Sequence, residues 1–442
     1  MKKSILKLNF FTAIFCILFF ASCEFTESPM SEKKNWTIMV YMGADNNLAT
    51  SAFKDINEME AADVDFENVN IITLVDFSSS YLSSSQAGSK LYSICKDSEG
   101  LNGKIVSERL TSRALDLSLK KSTNLNMADG NVLSDFLDYS KEYFPADHYA
   151  LIVWGHGSGW RNFSVSENFS SSRAVAFDDS SMQYMAIPTL REAIEKNFKK
   201  SELDFIGFDT CFGSQLEVLY ELKDCASWFA GVEGFEGSDG WNYEKWFSNF
   251  KFTKEDDGEK FALCLEDQFI EENDKTFAAV DLSKVENLFN EFESFCENIV
   301  TVVKDEESKK EILDAAKTSV ISFYESGAES DYVVDLVAFS KALVLQDASY
   351  SKYSAELFDA VKESISTKRE YLLDRFPIGI FLCGVDAEGN FVNDFSEYYI
   401  NGSGAKNQSK FVMNSNWYVP SAERHGSLLD RLFCMTFFTE GK

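Results

Sequence analysis

Largely apolar runs recur through the first half of the chain and restrict its possible folds more than any other pattern. They occupy residues 36–42, 69–75, 149–154, 203–208 and 228–232. The first run, WTIMVYM, carries apolar residues on both faces and ends at Gly43. Strands of this kind are typical of parallel sheets that helices cover on both sides.

Between these runs, apolar residues recur at helical spacing. The first such helix is predicted from Leu48, Ala52, Phe53, Ile56 and Met59. Because strands and helices alternate, residues 36–250 are predicted to form an α/β fold, with a mostly parallel sheet and helices on both faces. In such sheets, ligands bind beyond the carboxyl ends of the strands.

Beyond residue 250 the pattern becomes helical and charged, with short strands predicted at 378–383 and 410–413. The sequence shows neither an internal repeat nor a long linker. Residues 251–442 are therefore predicted to pack on the first half, as a helix-rich C-terminal portion of the same unit.

The N-terminus has the pattern of an export signal. Three lysines within the first seven residues precede an apolar run at residues 10–20, which is too short to span a bilayer. The run leads into FASC, which resembles a bacterial lipobox and ends at Cys23. We expect residues 1–23 to direct lipidation of Cys23, with residues 24–35 as a polar tether at the cell envelope. The alternative is an ordinary signal peptide cut near Ser22, which would give a secreted protein.

The charge balance excludes one class of function. The 442 residues include 42 Lys and Arg against 71 Asp and Glu, a formal net charge of −29. Because nucleic-acid binding needs a basic surface, we expect no nucleic-acid partner. Aromatic residues make up 14% of the chain, which is too many for a disordered protein.

Only three histidines are available as an imidazole base, and one stands out. A three-histidine zinc site would use all of them, and there is no HExxH motif, so a zinc hydrolase is not expected. His156 lies in WGHGSGW, directly after a buried strand. Glycines on both sides allow the backbone to approach a ligand closely. A tight turn with a structural histidine remains the alternative.

A cysteine follows another buried strand in the segment FDTCFGS. We expect Cys211 to lie at or near a helix N-terminus, where the helix dipole favours the thiolate. The alternative is a buried structural cysteine. If the two strand ends share a crevice, His156 accepts the thiol proton and the thiolate attacks an acyl carbon. Backbone N–H groups of Gly157 and Cys211 are then placed to bind the oxyanion.

These segments resemble the clostripain-like cysteine peptidases, family C11, which have a caspase-like α/β fold. The resemblance covers most of the chain after the N-terminal signal. It is carried by WTIMVYMGADNNLATSAFKDINEME, HYALIVWGHGSGW, LDFIGFDTCFGSQLEV and GVEGFEGSDGWNY. More loosely similar are FAAVDLSKV, DYVVDLVAF and PIGIFLCG.

The resemblance implies a role for each matching residue. His156 matches the catalytic histidine and Cys211 the nucleophile. Asp209 and Asp239 match two acids in the pocket for the residue before the scissile bond. Two carboxylates in one pocket select a cation, which Arg contacts bidentately and Lys contacts as a point charge.

Other family features are expected with less support from the residues. Before Asp239 the family often has Pro-Gly, where this chain has Gly-Ser. Some members cut themselves after a basic residue between the two motifs, and Arg161 and Arg173 flank a polar loop there. Some members are activated by calcium, and Asp178-Asp179 is an acidic loop, although there is no EF-hand.

The sequence therefore predicts a lipid-anchored cysteine endopeptidase that cleaves after Arg or Lys. Its substrates would be peptides or proteins with exposed basic residues. Its chemistry would require no cofactor, with Ca²⁺ as a candidate activator. Two alternatives remain. One is a lipoprotein that binds peptides or host proteins without cutting them. The other is a cysteine acyltransferase or amidase.

Overall fold

The computed structural model describes residues 30–160, 175–302, 305–322, 330–368, 376–385, 391–392 and 410–411, except residues 201, 238 and 273. Its strands are β1 (Lys34–Ala44), β2 (Val69–Phe77), β3 (Gly88–Ser93), β4 (Glu108–Arg109), β5 (Ala146–Gly155), β6 (Val175–Asp178), β7 (Gln183–Met185), β8 (Phe205–Asp209), β9 (Trp228–Val232), β10 (Phe277–Asp281), β11 (Val320–Ser322), β12 (Ser330–Asp335), β13 (Ile365–Ser366), β14 (Gly379–Val385) and β15 (Phe391–Val392). Its α-helices are α1 (Ala49–Ala61), α2 (Gly130–Tyr143), α3 (Ile187–Asn197), α4 (Leu216–Leu222), α5 (Tyr243–Asn249), α6 (Gly258–Glu271), α7 (Val285–Val302), α8 (Glu306–Thr318), α9 (Leu336–Gln346) and α10 (Ser351–Ser364).

The main sheet has nine strands in the order β13-β10-β9-β8-β5-β1-β2-β3-β4. The central strands β9, β8, β5, β1 and β2 run parallel, and each strand added at the edges pairs antiparallel with its inner neighbour. The predicted mostly parallel sheet is confirmed. Because all the central strands point the same way, their carboxyl ends lie along one edge of the sheet.

Each face of this sheet is covered by its own apolar cluster. On β1, Ile38 and Val40 belong to one cluster, while Met39 and Tyr41 belong to the other. This alternation follows from the two-residue period of a strand. Helices α1, α5 and α6 cover the first face, whereas α2, α3, α4 and α7 cover the second. The predicted helices on both faces are confirmed.

The second half of the chain packs against the first, as the sequence predicts. Strand β10 extends the main sheet, and β11, β12, β14 and β15 form a second, antiparallel sheet. The backbone N–H of Gly379 donates to the Ser214 carbonyl at 3.0 Å. The N–H of Phe381 donates to the buried Glu217 carboxylate at 3.0 Å. Strand β14 therefore supports the segment that follows Cys211.

The strand predicted at 410–413 is wrong where the structure describes it, because Lys410 and Phe411 are helical. Their N–H groups face the Glu221 carboxylate, so a side chain satisfies them and no strand partner is needed. Within the described ranges, no helix is both long enough and apolar enough to cross a bilayer.

Candidate active site

The strand register places the two candidate motifs side by side. Strands β5 and β8 are parallel neighbours in which Trp154 pairs with Asp209. His156 and Cys211 each lie two residues beyond that pair. Because neighbouring strands lie about 4.8 Å apart, both segments leave the sheet at one place. The structure thus brings together the two strand-end segments that the sequence predicts to converge.

A glycine allows these two segments to pack tightly. A Cβ atom on Gly157 would lie 2.6 Å from the Cys211 carbonyl oxygen and 2.5 Å from Thr210 Oγ1. Any side chain at position 157 would therefore force the loops apart. Among the backbone–backbone hydrogen bonds of the described residues, none is donated by the Gly157 N–H. Its role as an oxyanion donor remains a prediction.

A third strand end supplies a partner for the histidine. Asn47, just beyond β1, has its Oδ1 atom 2.6 Å from His156 Nε2. Because an amide oxygen only accepts, Nε2 carries the hydrogen in this contact. That tautomer leaves the Nδ1 lone pair as the basic site. Sequence reasoning missed Asn47, although a polar residue just past the end of the strand beside β5 was a usable signal.

The Cys211 thiol is held in its protonated form. Its Sγ accepts the Glu236 N–H at 3.4 Å. Burial, followed by the charges of Glu236 and Asp209, raises the pKa of the thiol to about 11, and the hydrogen bond from the Glu236 N–H opposes this rise. The predicted helix start at Cys211 is wrong, because α4 begins only at Leu216. The helix dipole is thus too distant to favour the thiolate, since its effect is confined to the first turn.

Asp209 lies buried below the cysteine. Its Oδ2 accepts a hydrogen bond from the Tyr243 hydroxyl at 2.8 Å. Burial is the main cause that raises the pKa of Asp209 to about 7, and the charge of Glu58 acts in the same direction. Hydrogen bonds from the Tyr243 hydroxyl and the Trp241 N–H lower the pKa and oppose this rise. Gly240 has φ +62°, and a Cβ there would lie 3.2 Å from Asp209 Oδ1. Glycine therefore lets this loop close over the carboxylate.

More carboxylates surround Asp209 than the sequence analysis identified. Asp55 accepts from Trp154 Nε1 at 2.8 Å, and its second oxygen has no hydrogen-bond partner among the described residues. Burial raises the pKa of Asp55 to about 9, with the charges of Asp209 and Glu58 acting in the same direction. Glu236 Oε2 is enclosed and likewise has no partner within the described ranges. We call Asp55, Glu58, Asp209 and Glu236 the acidic pocket.

Asp239 lies at the rim of this pocket, not inside it. Its side chain is 90% exposed, and its Oδ1 is 3.3 Å from Lys54 Nζ. The same ammonium is 3.5 Å from Glu58. A role for Asp239 as the second pocket acid remains a prediction. In this structure Lys54 partly neutralises both acids.

The family model of the clostripain family matches residues 40–417, which is most of the chain. This chain belongs to the clostripain family. The resemblance read from its motifs is therefore confirmed. Clostripain from Hathewaya histolytica is 27% identical over 354 residues, which cover 70% of this chain and 64% of that protein. The chain thus spans slightly less than two thirds of that relative.

Solved structures of clostripain-family proteins share the fold. A secreted C11 cysteine protease from Bacteroides thetaiotaomicron, solved with an irreversible peptide inhibitor, superposes with a TM-score of 0.53 at 17% identity, covering 79% of this chain and 92% of that one. An inactive zymogen C11 protease from Parabacteroides distasonis gives a TM-score of 0.55 at 16% identity, covering 80% and 93%. The caspase-like α/β fold that the family resemblance implied is confirmed.

Several predicted features lie outside the described residues. They are the signal and lipidation site at Cys23, the first half of the tether (residues 24–29), and both candidate processing sites, Arg161 and Arg173. Of the acidic loop predicted to bind Ca²⁺, Asp178 is buried at the end of β6 and Asp179 is exposed. Calcium activation of this clostripain-family chain remains a prediction.

Proposed function

We propose that this chain is a cysteine endopeptidase that hydrolyses peptide bonds after Arg or Lys. The observation that supports it most is the shared register of β5 and β8, which sets His156 and Cys211 at matching positions above a buried acid. Membership of the clostripain family agrees with this chemistry. The assignment of roles to these residues is part of the proposal.

The proposed reaction begins with proton transfer from Cys211 Sγ to His156 Nδ1. Sγ attacks the carbonyl carbon of the scissile bond, and the C–O π electrons move to oxygen. The N–H groups of Gly157 and Cys211 bind that oxyanion. As the C–N bond breaks, His156 returns the proton to the leaving amine. Water then attacks the thioester, with the same histidine as base, which releases the acid and restores the thiol.

The acidic pocket is the proposed binding site for the basic side chain. Asp55, Glu58 and Asp209 are buried, and one oxygen atom each of Asp55 and Glu236 has no hydrogen-bond partner among the described residues. Lys54 offsets this negative charge only in part, and burial of carboxylates without full compensation is unfavourable, so an entering ammonium or guanidinium group would relieve it. Arg fits such a site bidentately, while Lys contacts it as a point charge.

Short fluorogenic peptides ending in Arg, Lys, Asp or Ala test this proposal. With dithiothreitol present, we expect turnover of the Arg and Lys peptides and at most traces with the other two. Turnover of Asp or Ala peptides at equal rates would contradict the proposed pocket. A product in which an added amine replaces water, found by mass spectrometry, would favour an acyltransferase. Binding of intact peptides with no product would favour a non-catalytic lipoprotein.

Replacing Asn47 by Ala is expected to lower kcat about 10- to 100-fold with little change in KM. The substitution removes the acceptor that fixes the His156 tautomer, and partners of this kind typically contribute at this level. Initial rates over a range of peptide concentrations measure the two constants. Asn47→Asp keeps an acceptor oxygen in place and is the matched control, expected to retain most activity. Equal losses in both variants would contradict the role of the acceptor.

We further propose that the protein is exported and anchored at the cell envelope through lipidated Cys23, with a secreted form as the alternative. The lipobox-like FASC segment supports this. Cleavage after Arg161 or Arg173 belongs to the same proposal, because both arginines lie between the two motifs. Mass spectrometry of the protein from its native cells checks the N-terminal lipid and the cut sites together. An unmodified, uncut chain that still starts at Met1 would contradict export, lipidation of Cys23 and cleavage after Arg161 or Arg173.

A further inference from the structure

A second cluster of buried acids lies apart from the acidic pocket. It contains Asp45 just beyond β1, Asp76 in β2 and Asp178 at the end of β6. Each residue is at most 4% exposed, and one carboxylate oxygen from each lies within 4.8 Å of the other two. Three chain segments that are distant in sequence thus direct carboxylates at one point.

Some of the carboxylate oxygens in this cluster lack hydrogen-bond partners among the described residues. Asp45 Oδ2 and Asp76 Oδ2 are fully enclosed and have no hydrogen-bond partner among the described residues. Asp76 Oδ1 accepts the Ser89 hydroxyl at 2.8 Å. The Asp178 oxygens accept backbone N–H groups, from Ser181 at 2.7 Å and from Met127 at 3.2 Å.

No basic side chain within the described ranges forms an ion pair with any of the three carboxylates. Lys90 acts on Asp76 at longer range, but its ammonium donates to the carbonyls of Gln86, Ala87 and Gly88. Uncompensated charges at such depth are strongly unfavourable. A bound cation would remove the conflict.

We infer that Asp45, Asp76 and Asp178 form a binding site for one divalent cation, with Ca²⁺ preferred. The donor set consists of carboxylate oxygens, which hard cations choose over Zn²⁺. Two oxygens on opposite sides of Ca²⁺ lie up to about 5 Å apart, and the observed limit of 4.8 Å fits that span. Mg²⁺ requires shorter bonds and keeps most of its waters, which suits a buried site less well.

The site adjoins the segment that holds the candidate base. Asp45 is followed by Asn46, whose side-chain amide donates to the carbonyls of Gly43 and Phe177, both at 2.9 Å. The next residue is Asn47, the partner of His156. A cation held by Asp45, Asp76 and Asp178 would fasten this segment to β2 and β6. The link to activity, unlike the site itself, rests on the proposed function.

The sequence analysis named Asp178-Asp179 as the acidic loop for Ca²⁺. The structure separates these neighbours, because Asp178 enters the cluster while the Asp179 side chain is exposed. The Asp179 N–H donates to the Asp45 carbonyl at 2.8 Å, a contact that an Asn at this position would keep. Asp179→Asn is therefore a matched control for changes at the cluster.

The experiment uses purified protein stripped of metal with EDTA and then titrated with CaCl₂ or MgCl₂. Calorimetry is expected to show one Ca²⁺ per chain, and saturating Ca²⁺ should raise Tm by about 3 to 8 °C, with a smaller rise for Mg²⁺. Asp45→Asn and Asp76→Asn should lose the Ca²⁺ response. Without metal, they should melt no lower than the stripped wild type, because each removes a repelling charge. Asp179→Asn should respond as the wild type does.

Absence of Ca²⁺ binding by the wild type would overturn the inference, as would an equal loss of response in Asp179→Asn. Circular dichroism identifies a variant that fails to fold, and the second cluster variant then decides. Ca²⁺ binding is measured without a peptide substrate, so its result can be interpreted even if the proposed endopeptidase activity is not found. For the link to His156, Ca²⁺ should raise kcat on an Arg peptide at least several-fold. Equal kcat with and without bound Ca²⁺ would overturn that link.

Discussion

Replacing Cys211 by Ala is expected to lower kcat/KM on Arg and Lys peptides by at least about 10⁴-fold, because it removes the thiol that forms the proposed acyl-enzyme. Cys211 and His156 occupy matching positions beyond two neighbouring strands, and Gly157 packs against the Cys211 carbonyl oxygen. Alanine fits the space without disturbing the fold. Hydrolysis of a fluorogenic Arg peptide by equal amounts of folded enzyme measures the loss.

Cys264 provides the matched control for this change. Like Cys211 it is a free, partly buried cysteine, and burial also raises the pKa of its thiol to about 11. It lies in α6, where its Sγ is 3.7 Å from the Trp246 carbonyl oxygen. Cys264→Ala should keep kcat/KM within about threefold of the wild type. Substantial activity in Cys211→Ala, or an equal loss in Cys264→Ala, would refute the assignment of the nucleophile.

Replacing Asp209 by Asn is expected to lower kcat/KM on the same peptides about 10²- to 10³-fold. Removing one partner of a buried ion pair typically costs about 3–5 kcal/mol. Expressed as a free energy, the expected loss in kcat/KM lies at the lower end of that range or just below it. Asparagine keeps the shape and can still accept from the Tyr243 hydroxyl. The charge that attracts the basic side chain is removed. Peptide kinetics at saturating and low substrate separate the contributions to KM and kcat.

The same variant has a second, opposite signature. The negative charge of Asp209 is one of the causes that raise the pKa of the Cys211 thiol. Alkylation by iodoacetamide in the absence of peptide should therefore be as fast as in the wild type, or faster. A damaged site would instead lose both reactions.

Asp239→Asn is the matched control, because its exposed carboxylate lies at the rim and pairs with Lys54. Surface pairs contribute little, so we expect less than a tenfold loss. A loss as large as that of Asp209→Asn would make Asp239 a full member of the pocket.

The sequence predicted the parts of the fold that depend on burial. The run at 228–232 coincides with β9, and the runs at 36–42 and 149–154 fall inside β1 and β5. Buried parallel strands leave an apolar pattern that needs no knowledge of tertiary contacts. The convergence of His156 and Cys211 followed from the rule that parallel strands share one carboxyl edge.

Other members of the site could not be predicted this way. Asp55 and Glu58 lie on the buried side of α1, where an amphipathic pattern assigns acids to the solvent face. Glu236 comes near Asp209 only because its loop folds back to Cys211, where its N–H donates to the thiol. Likewise, Asp45, Asp76 and Asp178 meet only through the sheet order and the packing of β6, which one sequence does not reveal. Strand β10 was not seen as a strand, because its small residues carry a weak apolar signal.

The buried, negative surroundings of the thiol have a consequence for the protein without substrate. Burial disfavours the thiolate most, and the charges of Glu236 and Asp209 add to its effect, so the sulfur stays protonated and is expected to react slowly with oxidants. On the proposed assignment, an Arg or Lys side chain entering the pocket cancels that charge. By thermodynamic linkage, the factor by which it raises the thiolate fraction equals the factor by which the thiolate tightens its binding. Substrates with a neutral side chain before the scissile bond would therefore be disfavoured in the acylation rate as well as in binding affinity. A substrate with a basic side chain would itself raise the thiolate fraction of Cys211.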